Sequence, residues 1–455
     1  MNLSRMLRAR AEEGRPVKVG LIGAGKFGSM FLAQVRTTVG LHLFGVAELS
    51  AERARAAMTA TGWSVDDAVA PDFDQAARTG RTVITEDSAA LIASDIDVIV
   101  DATGSPAAAI RHAKLAFKHG KHVVMVTVEA DALAGPWLAR QAREAGVVYS
   151  MAYGDQPALV CEMIDWAHSC GFKVVAAGKG TRYMPAYHES TPATVWTHFG
   201  ITDEEAKQAG MNPQMFNSFV DGTKSAIEMA AISNATGLKA PSGGLLFPPA
   251  GTHDLARVLC PKADGGVLEQ SGMVEVVTDY ERDGRAVHND LRWGVYVVFE
   301  AAGDEVSGRY TRRCFREYGM ATDPSGRYTA LYRPFHLIGL ELGVSVASAA
   351  LRGEPTGAVE AFNSDVVSVT KKDLQPGDTL DGEGGYAVWG RIMPASASLA
   401  AGGLPIGLAH GIKVTRPVAK GSVVTWDDVE MPKGDAVDAR RALEDGARGA
   451  MRNVA

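Results

Sequence analysis

The residues most able to do chemistry sit near the start of the chain. A β-branched, apolar run, Val17-Lys18-Val19-Gly20-Leu21-Ile22, leads directly into Gly23-Ala24-Gly25-Lys26-Phe27-Gly28. Three glycines at this spacing have a steric purpose. Gly23 permits a tight turn off a strand, Gly25 lets a pyrophosphate approach the backbone, and Gly28 lets the following helix pack close to the sheet. The helix start then offers unpaired N–H groups and a positive dipole end to phosphates. A second apolar run, Leu41 to Ala47, ends in Glu48, twenty residues beyond Gly28, where a ribose-binding carboxylate is expected. Gly23, Gly25, Lys26, Phe27, Gly28 and Glu48 are therefore expected to bind a dinucleotide. Glu48 favours NAD because it repels a 2′-phosphate; Arg53 and Arg55 are placed to accept one, or form a solvated helix face.

Further candidates lie where strands are expected to end. Thr103 and Gly104 follow the buried run Ile96 to Val100, in the small-residue turn Asp101-Ala102-Thr103-Gly104-Ser105-Pro106, and are expected to line the cofactor. Glu129 ends the run His122 to Glu129, and Asp155 and Gln156 follow the strand at 147–149. Lys179, Thr181 and Arg182 close a later strand. One long helix, Met215 to Ala235, is expected to carry Asp221, Lys224 and Glu228 on a shared face among apolar neighbours. That trio is either a salt-bridge ladder on the surface or a charged site. Lys224, Asp221, Glu129 and Asp155 are the catalytic candidates; Gln156, Lys179, Thr181, Arg182, Glu228 and Arg333 are the substrate-binding ones. Lys179, Arg182 and Arg333 suit a phosphate clamp, since the arginine fork binds phosphate oxygens bidentately. His253, Arg333 and His336 sit in polar loops, and such histidines are more often packed than catalytic. His188-Glu189 lacks a second histidine at metalloprotease spacing, no His/Cys cluster exists, and no nucleophile elbow is present.

The composition, 46% hydrophobic and 22% charged, is that of an ordinary globular protein, and 455 residues suffice for several domains. The net charge of −7 argues against nucleic acid or an anionic membrane as partner. Four cysteines without a CxxC pair suggest reduced thiols in a cytoplasmic protein. The first fourteen residues read as a short surface helix, and no run is long enough to span a membrane.

Strands alternate with helices through 1–155: a helix at 52–62, an irregular stretch at 63–82, strands at 83–85 and 96–100, a helix at 107–119, and a helix at 136–145. This alternation predicts a doubly wound parallel sheet. From 156 to 355 the pattern is α+β, with a loop region at 183–213 and an apolar helix from Pro334 to Leu351. Short β segments at 366–370, 386–391 and 412–414, separated by glycine turns, mark a small β-rich module at 356–455, with a helical tail at 436–453.

The first two parts resemble the homoserine dehydrogenase superfamily. The glycine fingerprint, Asp101-Ala102-Thr103-Gly104, Gly154-Asp155-Gln156-Pro157, Gly180-Thr181 and the helix with Asp221 and Lys224 carry the resemblance. The Asn-Lys that the family carries after its strand is absent at Thr127-Val128-Glu129, and Asp155-Gln156 departs from the family's Gly-Gly; both departures argue against homoserine. The last hundred residues resemble a SAF domain, a β-clip, through Lys372-Asp373-Leu374, Gly377 to Asp381, Leu404 to Leu408 and Val418 to Asp428. The combination is similar to the 1-deoxy-D-xylulose 5-phosphate reductoisomerase-like oxidoreductases, also at Tyr332 to Glu341 and Gly353 to Gly357. That resemblance implies a Rossmann domain, a homoserine-dehydrogenase-like middle domain and a SAF domain. It also implies NADP, with NAD as the alternative, a divalent metal (Mg or Mn), a homodimer, and isomerisation followed by hydride reduction of a phosphorylated, sugar-derived substrate. Two other expectations stay open: a plain dehydrogenase on a small hydroxy or amino acid, and a nucleotide-sensing scaffold whose SAF module binds a partner.

Overall fold

The computed structural model describes residues 2–301, 303 and 305–454. In chain order the first half contains α1 (Leu3–Glu12), β1 (Val17–Ile22), α2 (Lys26–Val35), β2 (Leu41–Ala47), α3 (Ala51–Ala60), α4 (Val65–Ala68), β3 (Val69–Ala70), α5 (Phe73–Thr79), β4 (Thr82–Thr85), α6 (Ser88–Ala93), β5 (Val98–Asp101), α7 (Pro106–Lys118), β6 (His122–Met125), α8 (Val128–Glu144), β7 (Tyr149–Met151) and α9 (Gln156–Ser169). Next come β8 (Lys173–Thr181), α10 (Val195–Phe199), α11 (Asp203–Gln208), α12 (Pro213–Val220), α13 (Thr223–Thr236), α14 (Leu255–Val258), β9 (Met273–Thr278), β10 (Val295–Glu300), α15 (Glu305–Glu317) and β11 (Tyr328–Arg333). The last part holds α16 (Gly343–Arg352), β12 (Ser364–Thr370), β13 (Thr379–Asp381), β14 (Val388–Pro394), α17 (Ala395–Ala401), β15 (His410–Val414), β16 (Val429–Glu430) and α18 (Asp435–Val454).

Two compact units form. The first comprises Met1–Leu159, Leu337–Glu360 and Asp438–Leu443. Its seven strands pair in the order β3-β4-β2-β1-β5-β6-β7, all parallel. The chain winds outward from β1 to one edge, then returns to β5 on β1's other side. That reversal is where such sheets bind ligands, beyond the carboxyl ends of the strands. Val17, Val19, Leu21, Val98 and Val100 are buried because parallel strands carry helices on both faces. The helical segment expected from Pro334 is shorter: β11 runs to Arg333, and α16 starts only at Gly343. Its residues Val346 and Ala347 are buried in the first unit's core, and Ser345 Oγ accepts the Tyr153 N–H at 2.7 Å. Small side chains let that helix lie against the sheet.

The second unit comprises Val160–His336, Ala361–Val437 and Glu444–Ala455. Its main sheet runs β11-β10-β8-β9, with β8 and β9 parallel and the other pairs antiparallel. The β-rich segment after 361 belongs to this unit. β12 pairs with β14, and β13-β15-β16 form a small sheet. Asn234 on α13 stitches the segment down: its Oδ1 accepts the N–H groups of Asn363 and Ser364 at 2.8 and 2.9 Å, and its amide donates to Ser364 O at 3.1 Å.

Four local expectations change. Residues 63–82 are not irregular but form α4, β3 and α5, and 183–213 contains a 3-10 turn (Pro185–Glu189), α10 and α11. Glu129 is not at a strand end; β6 stops at Met125 and α8 begins at Val128, with Pro136 inside it. Apolar residues buried on all sides read alike as strand or helix, which hid that boundary. The long helix from Met215 is broken into α12 and α13 at Asp221-Gly222, where Gly222 takes φ +91°.

Candidate active site

The glycine loop of the first unit has the geometry its spacing predicts. Gly23 takes φ +92°, and a Cβ there would stand 2.7 Å from Ala102 O. A Cβ on Gly28 would meet Gly23 O at 2.1 Å, so the turn and α2 approach too closely for any side chain. Gly25 is different: no heavy atom lies within 4 Å of where its Cβ would be. Open space stands there, so a phosphate can approach the backbone. Gly25 is also the N-cap of α2, without a side-chain cap and with no acidic residue in the first turn. The first N–H groups of α2, beginning at Lys26 and Phe27, therefore lack an intrahelical partner and carry the positive end of the dipole. A pyrophosphate fits this cradle.

Glu48 lies just past β2 and is bound into the loop. Its Oε2 accepts the Ala24 N–H at 2.9 Å, and its Oε1 pairs with Arg53 Nη2 at 3.2 Å. The carboxylate is nearly buried while the Arg53 side chain is mostly exposed. Arg53 thus neutralises the group that would repel a 2′-phosphate, while Arg55 points to solvent on the exposed face of α3.

Thr103 and Gly104 follow β5, but the Thr103 hydroxyl turns inward. It donates to Asp101 Oδ1 at 2.8 Å, alongside the Thr127 hydroxyl at 2.9 Å. Gly104, at φ +68°, has open space where a Cβ would stand, as Gly25 does, and its N–H donates to Thr127 Oγ1 at 3.0 Å. Asp101 is fully buried and also meets His112 Nδ1 at 2.7 Å, whose Nε2 lies 3.1 Å from Ser88 Oγ. Sequence reasoning missed His112, since nothing in a helical residue eleven positions after Asp101 signals that partnership.

Near the carboxyl end of the same sheet lie Glu129, Asp131, Asp155 and Gln156, all buried. The Gln156 N–H donates to Asp155 Oδ1 at 2.9 Å. Asp131, also missed, accepts the Tyr149 hydroxyl at 2.7 Å through Oδ1, while its Oδ2 is buried without a partner. Burial pushes its pKa up to about 8; the Tyr149 hydrogen bond opposes this and the charges of Asp155 and Glu129 add to it. Burial thus favours the neutral acid at Asp131.

In the second unit the expected trio does not form one cluster. Asp221, fully buried, caps the break between helices: its Oδ1 accepts the Thr223 N–H at 2.9 Å and its Oδ2 pairs with Lys371 Nζ at 2.8 Å. Lys371 comes from the end of β12 and also donates to Ser190 O and Gly385 O at 2.7 and 2.8 Å. No local sequence signal could reveal a partner 150 residues away. Glu228 forms a buried ion pair with Lys179 of β8. Lys224, the second residue of α13, is half-buried among fully buried neighbours.

The three residues of the phosphate clamp do not all fall on one face of the sheet. Alternation along β8 puts Lys179 and Thr181 on one face and Arg182 on the other. Lys179 faces Glu228, whereas Arg182 Nε donates to Asp279 Oδ2 at 3.2 Å. Arg333 ends β11; it and Lys179 both register with Val295, and its guanidinium stacks over the Phe335 ring at 5.2 Å. His188, passed over in the sequence, joins these elements: its Nδ1 donates to Asp221 O at 2.7 Å, leaving Nε2 to accept the Tyr183 hydroxyl at 2.8 Å. Burial lowers its pKa, and it stacks on Trp389 at 3.8 Å.

A glycine-cleared helix N-terminus at the reversal point of a parallel sheet is the arrangement of a Rossmann-like fold. Residues 19–151 match the homoserine dehydrogenase NAD-binding domain, and residues 154–342 match the catalytic domain of oxidoreductase DRL. No curated protein sequence matches significantly. Among solved structures the chain is similar to an oxidoreductase domain protein from Kribbella flavida (18% identity, 39% of this chain and 46% of that one, TM-score 0.29). Another is biliverdin reductase from Synechocystis with biliverdin and NADP+ (20% identity, 40% and 57%, TM-score 0.25). A third is a probable dehydrogenase from Thermotoga maritima (12% identity, 74% and 90%, TM-score 0.35). The matched region spans about half the length of the first two. Among the described residues no three carboxylate, imidazole or thiolate groups gather as a metal site, and no helix is long and apolar enough to cross a membrane.

Proposed function

We propose that the chain reduces a carbonyl of a small, sugar-derived substrate at the expense of NAD(P)H. The observation that carries this reading is the space at Gly25 over the uncapped start of α2. The bound nicotinamide would supply the hydride. This chain's residues would do the rest. Gly23, Gly25, Gly28 and the first turn of α2 hold the pyrophosphate, Glu48 the ribose, and Arg53 a 2′-phosphate where one is present. On the second unit Lys224 is the candidate proton donor to the developing alkoxide; on the first, Glu129, Asp155 and Gln156 are the candidates for holding substrate hydroxyls. Asp221 and Glu228 act through their lysines, as positioning residues for the start and the middle of α13.

The particular reaction we favour is that of 1-deoxy-D-xylulose 5-phosphate reductoisomerase, giving 2-C-methyl-D-erythritol 4-phosphate, in a cytoplasmic homodimer. The resemblance over nearly the whole chain supports it. The described residues offer no ready three-ligand metal site. A plain dehydrogenase on a hydroxy or amino acid is favoured by one observation: Asp221 and Glu228, two acids that could polarise a hydroxyl–ketone pair, are already engaged by Lys371 and Lys179.

A substrate panel with NADPH and NADH, with and without Mg²⁺ or Mn²⁺, separates these readings. Turnover of the deoxyxylulose phosphate supports the reductoisomerase; turnover of hydroxy acids alone supports the dehydrogenase. Gly25→Val should abolish dinucleotide binding with the fold intact, since a side chain would occupy the phosphate's place. Unchanged cofactor affinity by calorimetry removes the basis of the oxidoreductase reading.

A further inference from the structure

At one end of the second unit's main sheet, two arginines share a single carboxylate. Arg182, just past β8, donates from Nε to Asp279 Oδ2 at 3.2 Å, and Arg292, before β10, brings its Nε to 3.9 Å from the same oxygen. Each side chain is only 20% exposed, and Asp279 is buried. Aromatic rings fix both planes: Arg182 lies over Tyr280 at 4.9 Å and Arg292 over Trp293 at 4.5 Å.

Two guanidiniums crowd one buried carboxylate, and the exposed Asp290 is the second acid whose charge reaches Arg292. Burial and the repulsion of Arg182 lower the pKa of Arg292, against the pull of Asp279, Tyr280 and Asp290. Among the described residues the Arg292 guanidinium makes no hydrogen bond; only its backbone N–H does, to Asp290 Oδ1 at 2.9 Å. Arg182 spends one further N–H, on His198 O at 3.5 Å. On the acceptor side Asp279 Oδ1 is buried without a partner. A salt bridge built for stability alone leaves neither an unspent fork nor an orphaned oxygen, because both cost free energy when buried.

We propose that Arg182 and Arg292, sharing Asp279, form a binding site for the oxyanion of a small ligand, a carboxylate or a phosphate, with Asp279 Oδ1 accepting from a hydroxyl beside it. The planar forks match either oxyanion bidentately. If the oxidoreductase reading holds, this ligand is the acidic end of the substrate. The clamp would then use Arg292, which sequence reasoning overlooked, in place of Lys179 and Arg333.

Binding alone tests the proposal. The full-length protein is titrated calorimetrically with inorganic phosphate and, separately, with D-glycerate, at constant ionic strength in chloride. The wild type should bind at least one probe, and Arg292→Gln should weaken that binding at least about tenfold, as loss of a charge-assisted pair requires. Arg292→Lys keeps the charge, loses the fork and should fall between. Arg257→Gln, an exposed surface arginine, should change nothing. Preference for glycerate identifies a carboxylate ligand, preference for phosphate a phosphorylated one. Absence of binding by the wild type, or wild-type affinity in both Arg292 variants, overturns the site. NADPH titrated in parallel keeps the two ideas apart. A chain that binds the anion but no NADPH refutes the oxidoreductase reading alone; the reverse refutes only the anion site.

Discussion

Asp131→Asn replaces a buried acid by its neutral isostere, and the structure sets the size and sign of the effect. In the folded chain Asp131 titrates at about 8, because burial opposes its charge; unfolded it titrates near 3.9. Between those values the native protein holds a proton that the unfolded chain has released. Stability from this group is therefore greatest at low pH and is lost as pH rises, by up to about 1.4 kcal/mol per unit. From pH 5 to 7 the wild type should lose about 2–3 kcal/mol through Asp131 alone. In Asp131→Asn the side-chain oxygen still accepts the Tyr149 hydroxyl, and nothing titrates. The measurement is the denaturant midpoint of the first unit at pH 5, 6 and 7 for both proteins. The gap between them should widen steadily in favour of the variant as pH rises. A constant offset across the three pH values would refute the reasoning, since it would mean that Asp131 ionises normally in the folded state.

Three further outcomes follow from the same structure. Lys371→Met strands the fully buried Asp221 carboxylate and should cost about 3–5 kcal/mol, and adding Asp221→Asn should recover part of it; equal stabilities in denaturation would show that the pair is not coupled. Glu48→Ala should weaken NADH more than NADPH, and Arg53→Ala the reverse, by fluorescence titration; a pair of variants with no cofactor-dependent change removes both assignments. Lys224→Met should lower kcat at least about a hundredfold with cofactor binding intact if Lys224 is the proton donor; turnover within a fewfold of wild type makes it a structural residue.

The geometry of the glycine turn was legible in the linear chain. Gly23, Gly25 and Gly28 shape one strand–turn–helix and Glu48 follows the end of the next strand, so spacing alone places them. The parallel sheet was legible for a similar reason: buried strands and amphipathic helices leave periodic patterns. Pairings across long separations were not. Lys371 reaches Asp221, Lys179 reaches Glu228, and Arg292 reaches Asp279 only because sheet register and helix placement bring them together. Strand alternation, which separates Arg182 from Lys179, can be read from sequence only once the strand's limits are known. The break at Asp221-Gly222 was missed although Asp-Gly followed by Thr223-Lys224-Ser225 is a turn signal, because Phe219, Val220, Ala226 and Ile227 carry the helical pattern across it. The raised pKa of Asp131 and the lowered pKa of His188 come from burial, a property of the folded molecule that no residue carries by itself.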